Sequence, residues 1–206
     1  MSTITLLQQQ KHNASRVSIF LDGEFAFSVT LDVALQLRKG QELTQPEIDA
    51  LRNQDQVDRA YAAAIHYLGP RPRSQAEVER HLREKKHEAE AIAAAIAQLI
   101  EQQYLDDTEF ARFWTENRVR FRPKSAAALR YELAQKGVDR EVAQEAVAGV
   151  DEDAAAWDAV APKLERWRDL DEPEFERKIS AFLARRGFNY DIVRRTVRRA
   201  RAELQS

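Results

Sequence analysis

Leucine anchors at Leu82, Leu133 and Leu183 recur about every 50 residues in matching surroundings, which commits most of the chain to one repeated structural unit. Four residues beyond each anchor come Lys86, Gly137 and Gly187, the last two followed by an apolar residue, Val138 or Phe188. Four further on stand Val142 and Ile192, with Ile92 displaced by one residue in the first unit. Upstream of each anchor lies an aromatic helix carrying Tyr61, then Phe110 with Trp114, then Trp157. A unit this short cannot bury its apolar face alone, so such units stack and share a continuous core. The expected product is an elongated curved array, suited to binding another polymer rather than to enclosing a small substrate.

Local signals punctuate the array. Ser74 with Glu77, and Asp106 with Glu109, have capping-box spacing, while Ser125, Asp139 and Asn189 are further N-cap candidates. Gly137 and Gly187 suit helix C-termini. Apolar residues within segments follow a helical period, as in Ile92, Ile96, Leu99 and Ile100, or Ile179, Phe182 and Leu183. Three helices per unit, about nine in all, are expected. The opening residues differ: 3–7, 17–21 and 25–30 read as strands, and Asp22-Gly23 supplies a tight turn between the last two. Two short helices should follow, one over 32–37 ending near Gly40, the other starting at Thr44 with Pro46 and Glu47 in its first turn. The predicted organisation is mainly α. A small three-stranded antiparallel sheet with short helices (1–54) precedes three tandem three-helix repeats, 55–105, 106–150 and 151–206.

Composition excludes several kinds of chemistry. The chain has no cysteine, which removes disulfides, thiolate nucleophiles and thiolate metal sites. Residues 1–11 hold no signal-peptide core and no segment approaches a membrane span, so a cytoplasmic location without membrane contact is expected. Asp106, Asp107 and Glu109 form a carboxylate cluster, but capping accounts for Asp106 and Glu109 together. His12, His66, His81 and His87 are scattered, and none makes a helical metal-binding pair. No glycine-rich phosphate loop or nucleophile elbow is present. The reading is of a protein that is not an enzyme and has no catalytic residues, metal or cofactor.

Charge is placed more tellingly than its net of −2 suggests. From Arg177 to Arg201 nine residues are basic and one, Asp191, is acidic, while 151–176 is mostly acidic; this suggests a basic and an acidic face. In the last helix Ile192, Val197, Ala200 and Leu204 mark one side, leaving Arg194, Arg195, Arg198, Arg199 and Arg201 for the rest. Arg118, Arg120, Arg122 and Lys124 lead into the Ser125 helix, as Arg71 and Arg73 lead into the Ser74 helix. With Arg130, Arg185 and Arg186 these form the candidate binding face, since planar guanidinium groups match phosphate or carboxylate oxygens bidentately. Plain solvation of a helical array is the competing explanation. Trp114 and Trp157 are expected in the core, whereas Trp167, between Arg166 and Arg168, has the better claim to exposure.

Tyr104-Leu105-Asp106-Asp107, Phe110-Ala111, Trp114, Arg118, Leu129, Leu133 and Lys136-Gly137-Val138 strongly resemble the RecX family. Arg71-Pro72-Arg73-Ser74 with Glu77 and Leu82 does so in the first repeat. Leu21-Asp22-Gly23-Glu24-Phe25 and the run from Leu37 to Leu43 resemble the extra N-terminal segment of a subset of that family. Gln103 departs from the pattern, standing where glycine usually precedes the tyrosine, as does the run Lys85-Lys86-His87 where a glycine is common. The resemblance implies a regulator of the RecA recombinase that binds the RecA–single-stranded-DNA filament and opposes its growth, ATP hydrolysis, recombination and co-protease activities. The partners so implied are RecA and single-stranded DNA, with double-stranded DNA a further candidate, and the protein acting as a monomer. An autonomous DNA-binding protein that affects RecA only by competing for DNA is the alternative, and a metal-dependent nuclease a distant third.

Overall fold

The computed structural model describes residues 1–11 and 13–205; His12 and Ser206 lie outside the described residues. The chain divides into two compact units, one of Met1–Arg71 with Val78–Leu105, the other of Pro72–Glu77 with Asp106–Ser206.

In the first unit four antiparallel strands, β1 (Ser2–Gln10), β2 (Asn13–Leu21), β3 (Glu24–Thr30) and β4 (Glu42–Leu43), lie in the order β3-β2-β1-β4. Asp22 and Gly23 both take positive φ, 51° and 95°, as a two-residue hairpin turn whose twist matches its strands demands. Alternation puts Val17, Ile19 and Leu21 of β2 and Phe27 and Val29 of β3 on the buried face. The fourth strand is an addition to the expected three: Leu43 pairs with Ser2 at the edge. A single turn of helix, α1 (Leu31–Ala34), follows β3.

The helix expected to be short after Thr44 is not short. It starts there, capped by the reciprocal Thr44–Glu47 pair, but continues as α2 (Gln45–Leu68), because no Gly or Pro interrupts it before Gly69. Its Ile48 joins the sheet core, and buried Asp55 forms an ion pair with Arg16 of β2. Its C-terminal half packs Ala60 and Ala64 against Val78 and Leu82 of α3 (Gln75–Glu84) and Ile92, Ala95 and Leu99 of α4 (Ala89–Glu101).

The second unit holds α5 (Asp107–Phe121), α6 (Ala126–Gln135) and α7 (Arg140–Val147), then α8 (Glu152–Val160), α9 (Leu164–Trp167), α10 (Glu172–Ala184) and α11 (Tyr190–Gln205). Phe110, Leu129, Leu133, Val138 and Val147 make one core, and Ala156, Val160, Phe175, Ile179, Leu183, Phe188 and Val197 the next. The expectation for Trp167 is corrected. It lies on α9, an extra turn within the third repeat, and is 7% exposed, packed edge-on against Phe182 with ring centres 5.7 Å apart. Its flanking arginines follow the helix outward and say nothing of the ring. Trp114 and Trp157 are only partly buried at the margins of their cores.

The repeated leucines end their helices as well as filling them. His87, Val138 and Phe188 donate their amides to the carbonyls of Leu82, Leu133 and Leu183 at 3.2, 3.1 and 3.2 Å, with Lys86, Gly137 and Gly187 between at φ 62°, 77° and 84°. This is the Schellman closure, which needs a left-handed residue. Gln103 (φ 61°) closes α4 in the same way, Tyr104 donating to Leu99. The two departures from glycine therefore keep the glycine geometry and carry its steric cost, about 1 kcal/mol each. Lys86→Gly and Gln103→Gly should each raise unfolding free energy by roughly 0.5–1 kcal/mol in urea titration, after allowance for the extra freedom of glycine in the unfolded chain.

Candidate functional site

Two seams in the second unit are built alike. In the first, the start of α3 meets the turn after α6. Buried Ser74 donates its hydroxyl to the Lys136 carbonyl (2.6 Å), Gln75 donates its amide to Asp107 (2.8 Å), and Lys136 Nζ reaches Glu77 (2.7 Å). In the second, the start of α6 meets the turn after α10. The amide of buried Ser125 donates to the Arg186 carbonyl (3.1 Å) and that of Ala126 to Glu152 (2.6 Å). Glycine is required at each turn twice over, for its φ and for space. A Cβ on Gly137 would lie 2.3 Å from Ala76 Cβ, and one on Gly187 2.9 Å from Ala128 Cβ.

The seams differ in charge. Glu77, three residues after Ser74, neutralises Lys136. The equivalent position after Ser125 is Ala128, so Arg186 has no carboxylate partner among the described residues. Its guanidinium instead donates to the Pro123 carbonyl (2.7 Å) and lies over the Phe182 ring (4.5 Å), to which Lys163 is a second cationic neighbour (5.4 Å). Burial, then the charges of Arg122 and Arg185, hold the Arg186 guanidinium below the ordinary arginine range.

Glu132 of α6 gathers another group of cations. One carboxylate oxygen accepts from Trp114 Nε1 (2.9 Å) and Arg118 Nε (2.7 Å), and the other accepts from Lys124 Nζ. Arg118 and Lys136 each stand 4.3 Å from the Trp114 ring centre. Burial alone would push the Glu132 carboxyl up; the hydrogen bonds from Lys124, Arg118 and Trp114 together outweigh it and hold the group below the usual range.

The basic residues read from the sequence therefore fall into two sets. Arg118 and Lys124 are committed to Glu132. Arg195 forms a two-pronged pair with Asp153 of α8 (2.7 Å twice), Arg199 lies 3.8 Å from the Trp157 ring centre, and Arg201 reaches Glu172 and Glu176. The acidic and basic stretches thus partly neutralise each other across the third repeat instead of forming two separate faces. Arg71 and Arg73 are half-buried and engaged. Arg122, Arg185, Arg194 and Arg198 are exposed, and half-buried Arg130 joins them in having no ion pair among the described residues; Arg120 is exposed beside the Phe121 ring (5.1 Å).

The carboxylates that could suggest catalysis are structural. Asp106 accepts the Thr108 and Glu109 amides, Asp107 caps α3 through Gln75, and Glu109 pairs with Arg112. His81 stacks on Tyr67 at 3.9 Å. Among the described residues no three His, Asp or Glu side chains converge as a metal site, and no helix is long and apolar enough to cross a membrane.

Three-helix units in tandem, following an antiparallel sheet in the chain, define a helical-repeat protein. Family models match in chain order: the regulatory protein RecX N-terminal domain over residues 2–44 and the first, second and third RecX three-helix domains over 60–99, 106–147 and 151–197. The regulatory protein RecX of Bacillus licheniformis is 36% identical, with 94% of this chain and 75% of that protein covered. That of Clostridium botulinum is 28% identical, covering 97% of each. A crystal structure of regulatory protein RecX superposes with a TM-score of 0.75 at 25% identity over 95% of this chain and 98% of that one. This chain belongs to the RecX family, a family of regulatory proteins and not a known family of enzymes.

The Glu132 network has a definite pH signature. Its carboxyl titrates below the unfolded value of about 4.3, so its stabilisation is complete above that pH and is lost as pH falls through the lower folded value. Glu132→Gln should lower unfolding free energy at pH 7 by about 1.5–3 kcal/mol, and the gap to the parent should narrow below pH ~4 in denaturant titrations.

Proposed function

We propose that this chain binds the RecA–single-stranded-DNA filament and restrains it, opposing filament growth, ATP hydrolysis, recombination and co-protease activity. Family membership supports a regulatory role, and the sequence resemblance described above supplies RecA as the partner. The observation that carries a contact on α11 is the pair Arg194 and Arg198, one helical turn apart, exposed and without an internal acid among the described residues, while their neighbours Arg195, Arg199 and Arg201 are occupied. A row of free guanidinium groups meets an acidic protein surface at little desolvation cost and accelerates encounter.

The test is inhibition of RecA's DNA-dependent ATPase. Arg194→Glu with Arg198→Glu should raise the concentration needed for half-inhibition by about tenfold or more, a loss of ~1.4 kcal/mol. Thermal unfolding should stay within the ~0.5 kcal/mol typical of surface changes. Undiminished inhibition by the folded variant contradicts the assignment.

A further inference from the structure

The second seam carries an excess of positive charge that nothing inside the protein answers. Arg122 precedes Pro123, whose carbonyl binds Arg186; Arg185 precedes Arg186; and Lys163 shares the Phe182 ring with Arg186. None of these four cations has a carboxylate within ion-pair reach among the described residues, and the nearby Glu152 is committed to the Ala126 amide. Phe121 adjoins Arg122 at the end of α5 and is 65% exposed. It also forms part of the wall of an open groove of about 880 Å³.

We infer that this cluster is a single-stranded nucleic-acid site: Arg122, Arg185 and Arg186, with Lys163, take backbone phosphates, and Phe121 stacks a base at the mouth of the groove. Sequence-tolerant binding of single strands needs this combination, a cationic track beside an exposed ring. The groove wall carries both signs, Arg112 and Arg120 beside Glu116, Asp151 and Asp158, so the net positive charge that would hold phosphate lies at the seam. An acidic protein segment would use the cations but would leave the exposed Phe121 ring without a role. The inference deepens the proposed function by assigning direct DNA contact to the seam and leaving Arg194 and Arg198 to the protein partner.

Binding of the full chain to a fluorescein-labelled oligothymidylate, followed by anisotropy across a salt series without RecA, decides the matter. Arg122→Ala with Arg185→Ala should weaken binding about tenfold or more and flatten the log–log salt slope by about 1.4, two phosphate contacts' worth. Phe121→Leu should weaken it about fivefold with the slope unchanged. Lys39→Ala, a charge removed from the first unit, should match the parent. Parent-like binding by the double arginine variant, or no binding by the parent at low salt, overturns the site. So does loss of RecA binding in the absence of DNA with oligothymidylate binding intact, since the cluster would then serve a protein surface. Failure of the Arg194/Arg198 variant to relieve ATPase inhibition would count against the proposed function alone, because this assay contains no RecA.

Discussion

A serine-capped helix start, pressed onto the left-handed turn that closes another helix, is the contact on which the second unit depends. At such a seam the helix start donates to an orphan carbonyl of the turn, through the Ser74 hydroxyl to Lys136 in one case and the Ser125 amide to Arg186 in the other. The approach is close enough that the turn residue can carry no side chain, which is why Gly137 and Gly187 serve where Lys86 suffices at the exposed first turn. The carboxylates at the start of the following repeat, Asp107 and Glu152, cap the same helix starts, so each seam ties together three elements. The roughly 50-residue period in the sequence is the trace of this repeated connection.

Charge then differentiates two seams that the backbone makes equivalent. Where Glu77 meets Lys136, the cation is neutralised and becomes part of the network running through Trp114 to Glu132. Where Ala128 replaces the acid, the cation stays uncompensated and its neighbours add to it. A protein fold tolerates such an excess at modest cost when water solvates it, and the same excess is available to an anionic partner. Structural neutralisation and ligand binding are thus alternative uses of one position.

Most of the local architecture was legible. Capping serines, turn glycines and apolar periods act within a few residues, and the N-caps at Ser125, Asp139 and Asn189 stand as their sequence implies. Failures came where the deciding contact was distant or weak in pattern. β4 is two residues long and has no period to detect. The start of α2 is plain from its capping box, but its uninterrupted run to Gly69 marks no boundary between the part that packs on the sheet and the part that packs on α3 and α4. Trp167 is buried although arginines flank it, since successive residues on a helix point in different directions. The basic face was the hardest to read. Which arginines are free depends on partners such as Asp153, 42 residues from Arg195, and Glu132 on another helix. Local charge runs carry no record of those pairings.

If the missing acid at the second seam is what leaves the cation cluster open to nucleic acid, supplying that acid should close it. Ala128→Glu places a carboxylate at the position Glu77 holds in the first seam, three residues after the capping serine. Oligothymidylate affinity measured alongside the unfolding midpoint gives the answer. The expected midpoint holds or rises as Arg186 gains a partner, and affinity falls about tenfold or more. A folded variant that binds oligothymidylate as tightly as the parent would contradict it.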